Sequence, residues 1–245
     1  LHYTLAYRED YGNDGYQVTL GTMEADALEK NQKEAEKLQR ELEKFDLSQL
    51  SEENQIIYDI LSLEFSSQLS LGSSYLLQEP LGPNLGIQAQ LPILLAEYTF
   101  RTSSDIKDYF SLLADIPEYF QSILEFEEKK AEEGLFMSDV SADRIIQQCQ
   151  SFMETGTENY LYSMFNQRVE ELLNSRRISR HQADSFIEMH DKLMDQFVFP
   201  AYLSLSQGLE ELKGRGKNTG GLAYLDGGKD YYKYLIQSTV GDYRS

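Results

Sequence analysis

Three histidines, one cysteine and 41 carboxylates are the material for chemistry in this chain. A zinc site on a helix needs two imidazoles one turn apart, so that both project from one face. The histidines are His2, His181 and His190. The last two lie about two and a half turns apart, which sets them on opposite faces. No His-Glu-x-x-His run occurs. His190 falls on an apolar stripe and is expected to be a packed, hydrogen-bonded core residue, whereas His181, beside Arg180, is expected in water. Cys149 sits among Ile145, Ile146, Phe152 and Met153 at helical spacing, and reads as a small buried hydrophobe. One cysteine also excludes an internal disulfide and a thiolate metal cluster. A Ser-His-Asp triad lacks its G-x-S-x-G elbow, and no D-x-D-x-D-G calcium loop is present. The pairs Glu127–Glu128, Glu132–Glu133, Glu170–Glu171 and Glu210–Glu211 read as solvated helix faces. The run GRGKNTGG over 214–221 has neither Walker nor dinucleotide-loop spacing, and reads as a connector.

Charge narrows the partner classes. The 22 basic against 41 acidic side chains leave a net charge of −19. Duplex nucleic acid needs a basic footprint, so it is excluded as a partner, and anionic membrane surfaces are disfavoured. No run approaches the ~20 apolar residues of a membrane span. The 17 tyrosines and 12 phenylalanines recur at helical spacing, as core aromatics do, and there is no Trp.

Helices must position all of these residues. Between Thr22 and Phe45, Leu28, Ala35, Leu38, Leu42 and Phe45 recur at helical steps, predicting an amphipathic helix. Ser51, Glu52 and Glu53 predict the start of the next, which carries Ile57, Ile60, Leu61 and Phe65. Residues 79–101 contain three prolines and two glycines and cannot form one long helix. A turn is expected there, then a short apolar element of undetermined type, with at most a short strand. Helix resumes at Thr102, with Pro117 marking either a kink or the first turn of a further helix that stops at Gly134. Ser141 is expected to cap a helix ending at Gly156, and another spans about Glu158 to Asn174. Ser179 opens a long one with Ala183, Phe186, His190 and Leu193 inward, bent by Pro200 and ended by Gly214. The fold class is therefore all-α, an irregular multi-helix array with one Pro/Gly-rich irregular insertion. As a single helical domain or fragment it divides into N-terminal helices (1–78), the irregular segment (79–101), a helical array (102–213), a glycine-rich loop (214–228) and a short C-terminal helix and end (229–245).

Several segments resemble one family. LHYTLAYREDYG, SEENQIIYDILSLEF, PLGPNLGIQAQLPILLAEYTFRTSSDIKDYFSLLADIPEYF, EEKKAEEGLFMSD and GLAYLDGGKDYYKYLIQSTVG occur in the order of the bacterial domain-of-unknown-function family eight-eight-five. The resemblance implies zinc metallopeptidase-like proteins, often lipoproteins, with a zincin-like helical architecture around a cleft. It places the metal motif in a C-terminal half with no counterpart in this chain, which opens at Leu1 as an excised or processed product would. The implied role is the non-catalytic N-terminal half, forming one wall of a peptide-binding cleft. No catalytic residue or metal ligand is then expected here, with zinc held by the full-length parent. The implied partners are a peptide substrate and the missing C-terminal half, and the implied location is extracellular or at the cell envelope. The cleft-facing part would be 79–101, with Gln88, Glu97 and Tyr98 as its polar candidates. The alternative is a self-contained acidic helical module of the cell envelope that binds a peptide or protein.

Overall fold

In a computed structural model of the chain, residues 18–217 and 220–241 are described. They form α1 (Ala25–Leu42), α2 (Glu52–Leu71), α3 (Ile87–Glu97), α4 (Ser103–Glu132), α5 (Asp139–Glu154), α6 (Tyr160–Asn174), α7 (Arg180–Leu193), α8 (Phe199–Leu212) and α9 (Gly228–Val240). No strand occurs among the described residues, so the chain is all-α.

Helices α2, α5, α6 and α7 begin where a side-chain oxygen takes a free amide. Ser51 accepts from the Asn54 amide, and Ser179 forms a reciprocal capping box with Gln182. The cap of α5 is Ser138 rather than Ser141: its hydroxyl accepts from the Ser141 amide, and the helix starts at Asp139. Ser141 had the right residue type but lies one turn too late. Pro117 starts no new helix, because α4 runs through it for 30 residues. The segment 79–101 is also more ordered than its prolines and glycines predict. Its turn closes through Ile87 N–H to the Pro80 carbonyl at 2.9 Å, and α3 follows with Pro92 inside it.

The chain divides into two compact units. Among the described residues, the first comprises 18–22, 79–127 and 137–214; the second comprises 23–78, 128–136, 215–217 and 220–241. The first is built on the stripe Ile106, Tyr109, Leu113, Ile116, Phe120 and Ile123 of α4, all essentially inaccessible to solvent. Tyr109 stacks on Phe165 of α6 at 5.6 Å, and Phe120 meets Tyr202 of α8 edge-on at 5.0 Å. Gly208 allows α8 to lie close to α4, since a Cβ there would stand 2.6 Å from a Leu124 methyl. In the second unit α1 pairs with α2, and α2 with α9. Their packing is thinner than the periodicity predicts. Ala35 is buried, but Leu38, Phe45, Ile57 and Ile60 of the predicted inner faces are exposed.

Two buried polar arrangements organise the first unit. Pro92 has no N–H to give to the Gln88 carbonyl four residues back. The hydroxyl of Tyr202 donates to that carbonyl instead, at 2.8 Å in a fully buried contact. The second is His190, which is 0% exposed as its apolar stripe predicts. It stacks on Phe165 at 4.1 Å and meets Tyr162 edge-on at 5.3 Å. It is not hydrogen-bonded as expected, because neither ring nitrogen has a partner. The nearest carboxylate oxygen, on Asp191, is 3.7 Å from Nδ1, beyond bonding distance. Immediately after it, Met194–Val198 form a π turn in which the Phe199 amide donates to the Met194 carbonyl. This turn absorbs Pro200, where a bend was predicted.

Tyr202→Phe is expected to cost about 1–3 kcal/mol in urea unfolding, the penalty of an orphaned buried carbonyl. Adding Pro92→Ala should recover part of that loss, since alanine restores the helical donor. Equal effects of Pro92→Ala in both backgrounds would break the link between the two residues. Acid should act through His190. Burial depresses its pKa from 6.5 to about 4, so the unfolded chain takes up this proton first as pH falls. Stability attributable to it is therefore complete above pH 6.5 and lost on descending towards pH 4, by up to about 3 kcal/mol. Unfolding curves of His190→Phe should lack that increment of slope. An identical pH dependence in the two proteins would refute it.

Candidate functional site

A groove of about 420 Å³ opens in the first unit between the 80–86 turn, α3, α5 and the start of α6. Its walls are set by a short chain of amides. The Gln88 side-chain Nε2 donates to the Gly82 carbonyl at 2.6 Å and to Gln148 Oε1 at 2.8 Å. Gln148 in turn donates to the Pro83 carbonyl at 2.6 Å. Each amide is thus held at both ends, and the turn is tied to α5 across 65 residues of sequence. The approach needs Gly86, since a Cβ there would stand 2.1 Å from both Gln88 Oε1 and the Gly82 nitrogen. Pro92 and Phe152 supply apolar wall. Asn84, Gln147, Ser151 and Tyr160 add polar groups, and Arg144 of α5 adds a cation. Burial pushes the Tyr160 phenol above its ordinary range, so it stays a neutral donor.

The three polar candidates of 79–101 are not gathered at one place. Gln88 is buried and borders the groove. Glu97 ends α3 and is exposed. Tyr98 is buried against Phe100 and Tyr109, with ring centroids 6.1 and 5.9 Å away. Sequence reasoning missed Arg144, Gln147 and Gln148. They form part of an ordinary polar helix face, and only the fold brings them to Gln88.

Among the described residues no three of His, Cys, Asp and Glu converge so as to hold a metal ion. His190 is enclosed by aromatic rings and His181 is exposed, while His2 lies outside the described residues. Neither described histidine therefore joins a set of donors that could hold zinc. Cys149 is fully buried, and burial pushes its thiol up to about 12, which suits a core residue and not a nucleophile. Glu127 departs from the solvated reading: it is wholly buried on α4. No described helix is long and apolar enough to cross a membrane.

A second groove, of about 860 Å³, lies in the other unit between α1, α2 and α9. It is the larger, but two glutamates, Glu29 and Glu34, line it, and its helices leave Leu38 in solvent. It has no counterpart of the doubly held amides. The smaller groove is the better-formed site.

Comparison with curated protein sequences finds no match. Among solved structures, the fold resembles that of the "putative lipoprotein" from Colwellia psychrerythraea, with a TM-score of 0.74 and 15% identity. The match covers 93% of this chain and 40% of the other, so the chain spans less than half the length of that relative. At this identity the likeness concerns the fold alone. The sequence itself goes further: residues 7–244 match the family described as bacterial protein of unknown function, DUF885, and the chain belongs to that family.

Proposed function

We propose that this chain is the non-catalytic N-terminal helical part of a longer zinc-dependent peptidase, and that the α3–α5 groove is one wall of its peptide cleft. The observation that carries the reading is the preformed groove. Peptide backbones need donors and acceptors held in place beside apolar surface, and pockets for small ligands combine those features. Gln88 and Gln148, fixed by their mutual bond, border it with Asn84, Gln147 and Ser151, beside Pro92 and Phe152. Rigid polar groups lose little entropy when a ligand arrives.

Two further facts support a longer parent. The structural relative has more than twice the length matched here. The spacing of Ile56, Ile57, Ile60 and Leu61 puts them within one arc of α2, and Ile56 and Ile60 are each 61% exposed. An aliphatic cluster of this kind is characteristic of a surface that packs against more protein. On this reading the C-terminal half covers it. The hydrolytic water, its base and its metal then belong to residues beyond this chain, and the groove orients the substrate.

The 245-residue chain alone should show no peptidase activity above background, while the longer parent should cleave short peptides in a chelator-sensitive way. In that parent, Gln147→Ala and Ser151→Ala should raise KM severalfold with Tm preserved, as loss of substrate binding does. Chelator-sensitive cleavage by the isolated chain would overturn the non-catalytic role. Unchanged KM in both variants would remove the groove from the cleft.

A further inference from the structure

The charge of the α3–α5 groove differs from that of the chain around it. With 41 acidic residues in 245, most surfaces carry carboxylates, yet none lines this groove. Its charged group is Arg144, exposed on α5 and without a hydrogen bond or ion pair to any described residue. The adjacent acid, Asp143, is occupied by Lys213 at 2.7 Å and does not compensate it. The donors beside it are neutral: Gln147, Ser151 and the phenol of Tyr160. A guanidinium with a free planar edge, next to neutral donors, matches a carboxylate, which accepts two parallel N–H bonds.

We infer that the groove selects peptides bearing a carboxylate, with Arg144 as the anion anchor. This specifies the substrate class of the proposed cleft and rests on that reading. The carboxylate can belong to an acidic side chain or to the peptide's C-terminus, since the recognition chemistry is shared. The net charge of −19 repels any anion at long range, so discrimination comes from close contact at Arg144. Salt both screens that repulsion and weakens the pairing. A substitution is therefore the cleaner probe.

The test titrates the ¹⁵N-labelled 245-residue chain with three acetylated tripeptides: Ala-Leu-Ala with a free carboxylate, Ala-Glu-Ala amide and Ala-Gln-Ala amide. Amide shifts should localise to 83–92 and 144–152. At least one anionic peptide should bind about tenfold more tightly than the Gln peptide, as one well-placed charged pair provides. The tighter of the two identifies the source of the carboxylate. Arg144→Gln should abolish that preference and leave binding of the Gln peptide unchanged, which also shows that the variant is folded. Equal affinities for all three peptides, or a preference that survives Arg144→Gln, would overturn the anion anchor while leaving the peptide groove intact. Absence of shifts at the groove with every peptide would overturn both.

Discussion

The proline inside α3 leaves the carbonyl of Gln88 without its helical donor, and burial keeps water from supplying one. An unpaired carbonyl in such a place costs as much as several ordinary contacts gain. Tyr202 meets the demand with its hydroxyl, and in doing so fixes how α8 lies on α3. The other end of Gln88 is then constrained as well. Its side chain is directed to the Gly82 carbonyl and to Gln148, and the 80–86 turn is drawn onto α5. The groove is thus a consequence of polar satisfaction within the core.

The same low-polarity interior gives His190 the opposite outcome. The amides of Gln88 and Gln148 satisfy one another, whereas the imidazole is held by ring contacts with Phe165, Tyr109 and Tyr162 and bonds to none of them. Such a group stays in place by shape and dispersion, and its neutrality is the condition for its burial. A network that is fully paired confers geometry; an unpaired polar ring confers sensitivity to protons.

What was legible in the sequence follows from the range of each interaction. Caps and stops act within one turn, so Ser51, Ser179 and Gly134 could be recognised directly, and helical periodicity indicated the burial of His190 and Cys149. Ser138 and Ser141 have the same capping chemistry three residues apart, so local sequence does not choose between them. Pro92 argued against helix only while its missing bond stood alone; the remedy, Tyr202, lies 114 positions in sequence from the Gln88 carbonyl it bonds. Glu127 looked like half of a solvated acid pair, since nothing local reveals that its face of α4 is enclosed. The exposed aliphatics of α2 have normal periodicity, and periodicity alone does not tell a buried face from an exposed one. For the groove, Gln88 could be named from its place beside the irregular turn. Arg144 and Gln148 carry no motif and become meaningful only through α3–α5 packing.

The π turn at Met194–Val198 carries a further implication for register. His190 and Tyr202 are separated by twelve positions, and an uninterrupted helix would leave them about 120° apart around its axis. The one additional residue that a π turn accommodates brings them back to within about 20°. A single helical rod can therefore serve the aromatic cage with one end and the carbonyl of α3 with the other. Relaxation of the π turn to plain α-helix at unchanged length would swing Tyr202 about 100° away from Gln88, whereas loss of one residue between 194 and 198 would remove the bulge and keep the register. In this part of the chain, the winding of the backbone is as informative as residue identity.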